Sequence, residues 1–239
     1  MLILTCMKVY GQEQQLQQQP TSPSNTLSTN QTAEEWMSSF DLEKCNFVST
    51  GENSYFILKP GYQVTLEGEE DGEELQLVIT VLKETKIVNG IETRVVEEKE
   101  TEGGNLVEIS RNYFALCKPT NNAIYFGEDV DIYESGEIVS HEGAWLAGQN
   151  GSKAGLVMPG KVEVGLKYYQ EIVPGVAEDR AKIVSVNDSM VTPAGTFDQV
   201  LKTEETNPLK PEEKEFKFYA PGIGLIQEEA IKLVNYTKP

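Results

Sequence analysis

The chain has 239 residues, with 38 acidic against 20 basic side chains and a formal net charge of −18. That length suffices for one domain with a sizeable core plus a tail. The charge argues against nucleic acid, because no basic stripe with interleaved aromatics offsets repulsion by phosphate. It argues equally against an anionic membrane surface, and no segment has the apolar length of a membrane-spanning helix.

Residues 1–11 read as the remnant of an export signal. Met1-Leu2-Ile3-Leu4 is short for an apolar region and Lys8 lies on its wrong side, yet Val9-Tyr10-Gly11 before Gln12 has the small residues of a signal-peptidase site. A lipid anchor at Cys6 is disfavoured by the same short apolar run. Residues 12–32 are Gln, Thr, Ser, Pro and Asn with almost nothing apolar, a composition that predicts a disordered linker. The protein is therefore expected outside the cytoplasm, secreted or at the cell surface, with one domain over residues 33–239.

Residues 33–40 predict a short helix, acidic at its start with Trp36 and Phe40 on one face. From there strands and turns alternate. Tyr55 to Leu58 leads through Pro60-Gly61 into Tyr62 to Leu66, and the acidic run from Glu67 to Glu74 forms a hairpin tip. Leu75, Leu77, Ile79 and Val81 alternate with polar neighbours, the period of a half-buried strand. Asn89-Gly90 is a strong hairpin signal, since a type I′ turn needs positive φ at both central residues. Gly103-Gly104, Pro119 to Asn122, Glu134 to Glu137 and Gln149 to Ser152 mark further turns. The remaining strands are expected over Lys161 to Val173, Ala181 to Val186, Phe197 to Glu204, Glu215 to Tyr219 and Ile231 to Tyr236.

Short links throughout allow consecutive strands to pair antiparallel. The fold class is all-β and mainly antiparallel, with at most a short N-terminal helix. A meander this long must curl or close to limit its edges, giving a strongly curved sheet, a half-barrel or a sandwich. With Cys6 in the signal, Cys45 and Cys117 remain, and two cysteines in an exported chain predict one disulfide.

Thr192-Pro193-Ala194-Gly195-Thr196-Phe197 and Tyr219-Ala220-Pro221-Gly222-Ile223-Gly224-Leu225-Ile226 set proline and glycine between β-forming runs, as corners that keep the sheet curved. In these motifs the chain resembles a large, mostly uncharacterised group of secreted bacterial and archaeal β-proteins. The resemblance runs from Phe47 to Tyr236 and takes in Tyr125 to Tyr133 and Tyr168-Tyr169-Gln170-Glu171. More distantly the chain looks like the lipoprotein-carrier type of curved sheet, which implies a cradle for a hydrophobic ligand. The resemblance brings no active site with it.

Few residues point to chemistry. Asp129 and Asp131 share one strand face and are weak candidates for a hard cation, but Tyr133 and the displaced Gly136 break the calcium-loop pattern. A single histidine, His141, excludes multi-histidine zinc sites, and no Gly-x-Ser-x-Gly elbow supports a triad. No glycine-rich phosphate loop is present. His141, Trp145, Tyr168, Tyr169 and Glu171 are the candidates for a ligand-binding face, with no catalytic residue and no cofactor assigned. The expected role is a non-enzymatic exported domain that binds a small apolar or amphipathic ligand, or a cell-envelope protein, on its concave face. The alternatives are an extracellular hydrolase using carboxylates or a metal, and a structural envelope protein without a ligand.

Overall fold

In chain order the strands are β1 (Phe47–Val48), β2 (Gly51–Asn53), β3 (Phe56–Leu58), β4 (Gln63–Glu70), β5 (Glu73–Val88), β6 (Ile91–Glu102), β7 (Asn105–Cys117), β8 (Asn122–Glu134) and β9 (Glu137–Ser140). They continue with β10 (Trp145–Leu146), β11 (Lys153–Met158), β12 (Lys167–Tyr169), β13 (Glu171–Ile172), β14 (Arg180–Thr192), β15 (Gly195–Asn207), β16 (Lys210–Ala220), β17 (Gly224–Glu228) and β18 (Ile231–Thr237). This is a computed structural model that describes residues 35–238, and from Trp36 onward the chain belongs to one compact unit. The readings of residues 1–11 and 12–32 lie outside the described residues.

Every strand pair is antiparallel. Thirteen strands follow one another in the order β12-β14-β15-β16-β17-β18-β4-β5-β6-β7-β8-β11-β13. The two ends of that order are consecutive in the chain. Tyr169 pairs with Arg180 of β14, while Glu171, two residues later, pairs with Ala154 of β11. One short segment thus hydrogen-bonds first to one margin of the sheet and then to the other, and the curved sheet comes close to a closed barrel. Gln170, between the two, donates its backbone N–H to Asp179 O at 2.7 Å. The curvature has a local cause as well: long strands carry register shifts, as between Val81 and Thr85 on β5, which bend and twist a strand.

The turn chemistry follows the sequence closely. Asn89 and Gly90 both have positive φ, 48° and 81°, and join β5 to β6. Pro193-Ala194 links β14 to β15 and Pro221-Gly222-Ile223 links β16 to β17. The Thr192–Phe197 and Tyr219–Ile226 motifs therefore hold hairpin turns between neighbouring strands, and the bending lies in the bulged strands.

Two elements differ from expectation. Residues 35–40 are not helical, because their backbone is used in an extended bridge: Met37 N–H donates to Lys167 O at 3.0 Å and Tyr169 N–H donates to Met37 O at 2.9 Å. Trp36 accordingly packs edge-on against Tyr169 and under the Arg180 guanidinium, 4.4 Å from its ring. Among the described residues the one helical turn is a 3-10 segment at Leu42–Lys44. The strand expected over 161–173 is reduced to β12 and β13, since residues 161–166 are not strand and the chain changes partner at Gln170.

Cys45 and Cys117 form a disulfide with a Cα–Cα distance of 5.0 Å, fastening the segment before β1 to the end of β7. Nearby, the β2–β3 hairpin is bound at one end of the barrel. Tyr55 hydroxyl donates to Gln199 O and Gly222 N–H donates to Ser54 O. Among the described residues no helix is long and apolar enough to cross a membrane.

Candidate functional site

Residues opposed across antiparallel strands share a face, so the register gives the lining of the barrel. One row reads Leu233, Leu66, Leu77, Glu100, Glu108 and Ile132 across β18, β4, β5, β6, β7 and β8. The next reads Val64, Ile79, Glu98, Ser110 and Val130. On the other wall, Ile183, Thr203, Lys217 and Glu228 are opposed in turn, as are Tyr168, Ala181, Glu205 and Glu215. An apolar stripe on β18, β4 and β5 therefore has carboxylates on both sides of it.

These carboxylates are buried. Glu98, Glu100, Glu205, Glu215 and Glu228 are at most 5% exposed, and Lys217 is 2% exposed. Lys217 Nζ lies 2.9 Å from Glu228 Oε1 and 3.3 Å from Glu205 Oε2. Glu205 also accepts hydrogen bonds from the Gln170 amide (3.2 Å) and the Thr203 hydroxyl (3.4 Å). By contrast Glu98 Oε2, Glu100 Oε1, Glu215 Oε2, Gln170 Oε1 and the Tyr168 hydroxyl are buried and make no hydrogen bond. Such groups cost free energy unless something satisfies them, so each requires an explanation.

Burial dominates the electrostatics. It pushes Glu98 up to about 8, against the pull of Lys217 and with help from Glu228 and Glu128. Glu100 is raised well above the usual range by burial and by the charges of Glu108, Glu98 and Glu228. Glu215 rises to about 7, again through burial. For Lys217 burial opposes the charge, but Glu205 and Glu228 outweigh it and hold the ammonium well above the ordinary lysine range. The coupling of Glu98 on β6 to Lys217 and Glu228 on β16 and β17 shows that the two walls face each other across the interior.

At the seam Glu171 and Asp179 hydrogen-bond to each other, with burial raising Glu171 well above the carboxylate range. Burial works against charge at Asp179 too, yet it lies below its usual value, and the Glu171 hydrogen bond, the Lys217 charge and the Asn207 hydrogen bond are among the influences that lower it. Asn207 Nδ2 donates to Asp179 Oδ1 at 2.8 Å and Asp179 N–H donates to Glu171 Oε1 at 3.2 Å.

Of the ligand-face candidates, Trp145, Tyr168 and Glu171 are buried, at 6%, 0% and 1% exposure. Trp145 packs edge-on against Tyr125, 5.2 Å between centroids, and lines an open cleft of about 290 Å³ with Glu128 and Val173. Tyr169 faces the other way, against Trp36. His141 is on the outside, its Nδ1 2.7 Å from Val130 O and 3.0 Å from Asp131 Oδ1, with the side chain 67% exposed. The five do not form one face. Asp129 and Asp131 are each engaged with cations: Lys86 contacts Asp129 at 2.9 Å and Arg111 contacts Asp131 at 3.0 Å. Among the described residues no group of three His, Cys, Asp or Glu side chains is placed to hold a metal. The Pro221-Gly222 turn lines a second open cleft of about 690 Å³ beneath the β2–β3 hairpin, where Lys59 pairs with Glu52 at 2.7 Å.

Glu98, Glu100, Glu205, Glu215, Lys217 and Glu228 were not marked out by the sequence reading. The available signal was the period-2 spacing of Glu98-Glu100 and Glu215-Lys217 within strands, but charge at that period ordinarily marks a solvent face. Compared with known proteins, the chain matches no protein-family model, no curated protein and no solved structure.

Proposed function

We propose that the chain is an exported, non-enzymatic binding protein that encloses a small amphipathic ligand with a cationic end inside its barrel. The observation that carries this reading is the set of hydrogen-bond-free carboxyl oxygens on Glu98, Glu100 and Glu215, beside an apolar stripe of Leu66, Leu77 and Leu233. A carboxyl group in a poorly solvated interior recovers its lost solvation from a cation with N–H donors. The leucine stripe suits a hydrocarbon body. An apolar ligand alone would leave the acidic walls unsatisfied, which is why the charge is assigned to the ligand. Export is supported by the Cys45–Cys117 disulfide, which persists in oxidising compartments.

The test is a thermal-shift panel on the full chain, with hexylamine and hexanoate at equal concentration. A ligand that binds only the native state raises the melting temperature by mass action. Hexylamine is expected to raise it and hexanoate to leave it unchanged. A shift with hexanoate and none with hexylamine overturns the reading. No response to either, with a bare mass in native mass spectrometry of protein from its own host, favours a structural envelope role.

A second reading, an acid–base hydrolase, draws on the hydrogen-bonded carboxyl pair of Glu171 and Asp179. It ranks lower because the two carboxyls bond to each other, whereas glycoside hydrolysis needs them about 5 Å or more apart around the substrate. Their bonds to Asn207 and to the Asp179 backbone suit a clamp on the seam.

A further inference from the structure

Building on that binding role, we propose that the enclosed ligand is a linear aliphatic polyamine, held by its nitrogens against Glu98 and Glu100 on one wall and Glu215 on the other. The unsatisfied groups are single oxygens on separate side chains. Glu98 and Glu100 are two residues apart on the same face of β6, so their stems stand about 7 Å apart along the strand, and Glu215 belongs to β16. A guanidinium offers parallel donors in a fixed fork and suits one carboxylate taken bidentately. Separate single acceptors instead match ammonium groups spaced along a flexible chain. The methylenes between them would lie on Leu66, Leu77 and Leu233.

Two further observations fall outside the carboxylates. The Tyr168 hydroxyl and Gln170 Oε1 are buried, at 0% and 2% exposure, and make no hydrogen bond. Both sit at Glu205: the Gln170 amide bonds its Oε1, and the Glu205 charge is among the influences on Tyr168. They offer two more acceptors for N–H donors in the same interior. The described residues provide no three-ligand metal geometry, which favours an organic cation.

Proton traffic follows from the surroundings. Glu98 faces Lys217, Glu228 and Glu128; Glu100 faces Glu108, Glu98, Glu228 and Lys217; Glu215 faces Lys217, Glu228, Glu205 and Glu229. In this mostly acidic company, burial keeps protons on the free carboxyls near neutral pH. An arriving ammonium stabilises the ionised form, so protons leave as the polyamine enters, and affinity rises with pH.

The test is calorimetric titration of the full chain with spermidine at pH 7 in two buffers of different ionisation enthalpy. Binding is expected with a buffer-dependent heat that reports proton release. The double variant Glu98→Gln, Glu100→Gln should weaken spermidine at least tenfold and reduce that release. Glu69→Gln with Glu70→Gln, at an exposed hairpin tip, should change affinity less than twofold. If the buried double variant fails to fold, Glu215→Gln carries the same comparison. Binding unaffected by the buried substitutions, or equally weakened by the exposed pair, places spermidine on the acidic surface and overturns the proposal. Hexylamine binding without spermidine binding overturns the polyamine while the binding role stands; loss of both removes both.

Discussion

Lys217 Nζ stands 2.9 Å from Glu228 Oε1, with the two side chains only 3% and 4% exposed. Glu205 completes the arrangement at 3.3 Å. Breaking a buried ion pair by removing one partner leaves an uncompensated charge and costs about 3–5 kcal/mol. Lys217→Met should therefore lose stability of that order in urea unfolding at pH 8. The loss should shrink at pH 5, because Glu228, already raised by burial, can take up a proton in place of its partner. An equal loss at both pH values would show that packing by the lysine stem, and not its charge, sets the cost.

Stability should fall as pH rises from 5 to 8.5. Glu98 titrates at about 8 in the folded protein against 4.5 when unfolded. Between those values the native state keeps a proton that the unfolded chain has lost, so stability is greatest near or below pH 4.5 and declines through the window. Glu215, at about 7, acts in the same sense over a narrower range. Asp129 and Asp179 are shifted the other way, and their contribution is lost only at more acid pH. Since one pKa unit corresponds to about 1.4 kcal/mol, Glu98→Gln should relieve a few kcal/mol at pH 8.5. That corresponds to about 5 °C or more in a chain of this size, with little change at pH 5. A wild-type stability that rises over this range, measured by pH-resolved thermal unfolding, would contradict the assignment.

The disulfide should matter to the whole barrel. Cys45 and Cys117 are 72 residues apart in sequence, and closing a loop of that length removes about 4 kcal/mol of denatured-state freedom on the chain-entropy account. The double variant Cys45→Ser, Cys117→Ser should lose about 2–4 kcal/mol in urea unfolding, and reduction of the wild-type protein should do the same. A loss below about 1 kcal/mol would mean that the unfolded chain is already compact in this region.

Hairpin chemistry was legible because it is local: Asn89-Gly90 needs nothing beyond its own two φ angles. The acidic interior was not legible because it is a property of register. On β16, Phe216 and Phe218 alternate with Glu215 and Lys217, and the ordinary rule would bury the aromatics. The sheet does the reverse. Glu215 and Lys217 are buried, while Phe216 and Phe218 lie on the opposite face under the Lys202 ammonium, 4.0 Å and 5.3 Å from their rings. A one-residue slip exchanges faces, and what prevents it lies on β15 and β17. The short segment around Met37 departs from its helical spacing for a related reason. Trp36 and Phe40 have helical spacing, but a strand far along the chain claims the intervening backbone.

The closure at the seam depends on Gly155. It lies on β11, paired with Tyr125 of β8, and its open side lies against the backbone of Gln170 and Glu171 where the chain passes between the sheet margins. A Cβ there would overlap the Gln170 carbonyl oxygen, and that neighbour is backbone with little room to give. Gly155→Ala should therefore push the 167–172 segment away from β11, at the roughly 1–3 kcal/mol typical of overpacking. The effect should be local as well as global. Amide exchange should accelerate at Gln170 and Glu171, while the β5–β6 hairpin, on the far side of the sheet order, keeps its protection. If the seam also completes the acidic interior, spermidine affinity should fall with it, since Gln170 and Tyr168 would move from their places beside Glu205. Gly90→Ala is the control: it strains a turn with φ of 81°, at a cost of about 1 kcal/mol, without touching the seam. Uniformly faster exchange in both variants would show that Gly155 contributes only general stability.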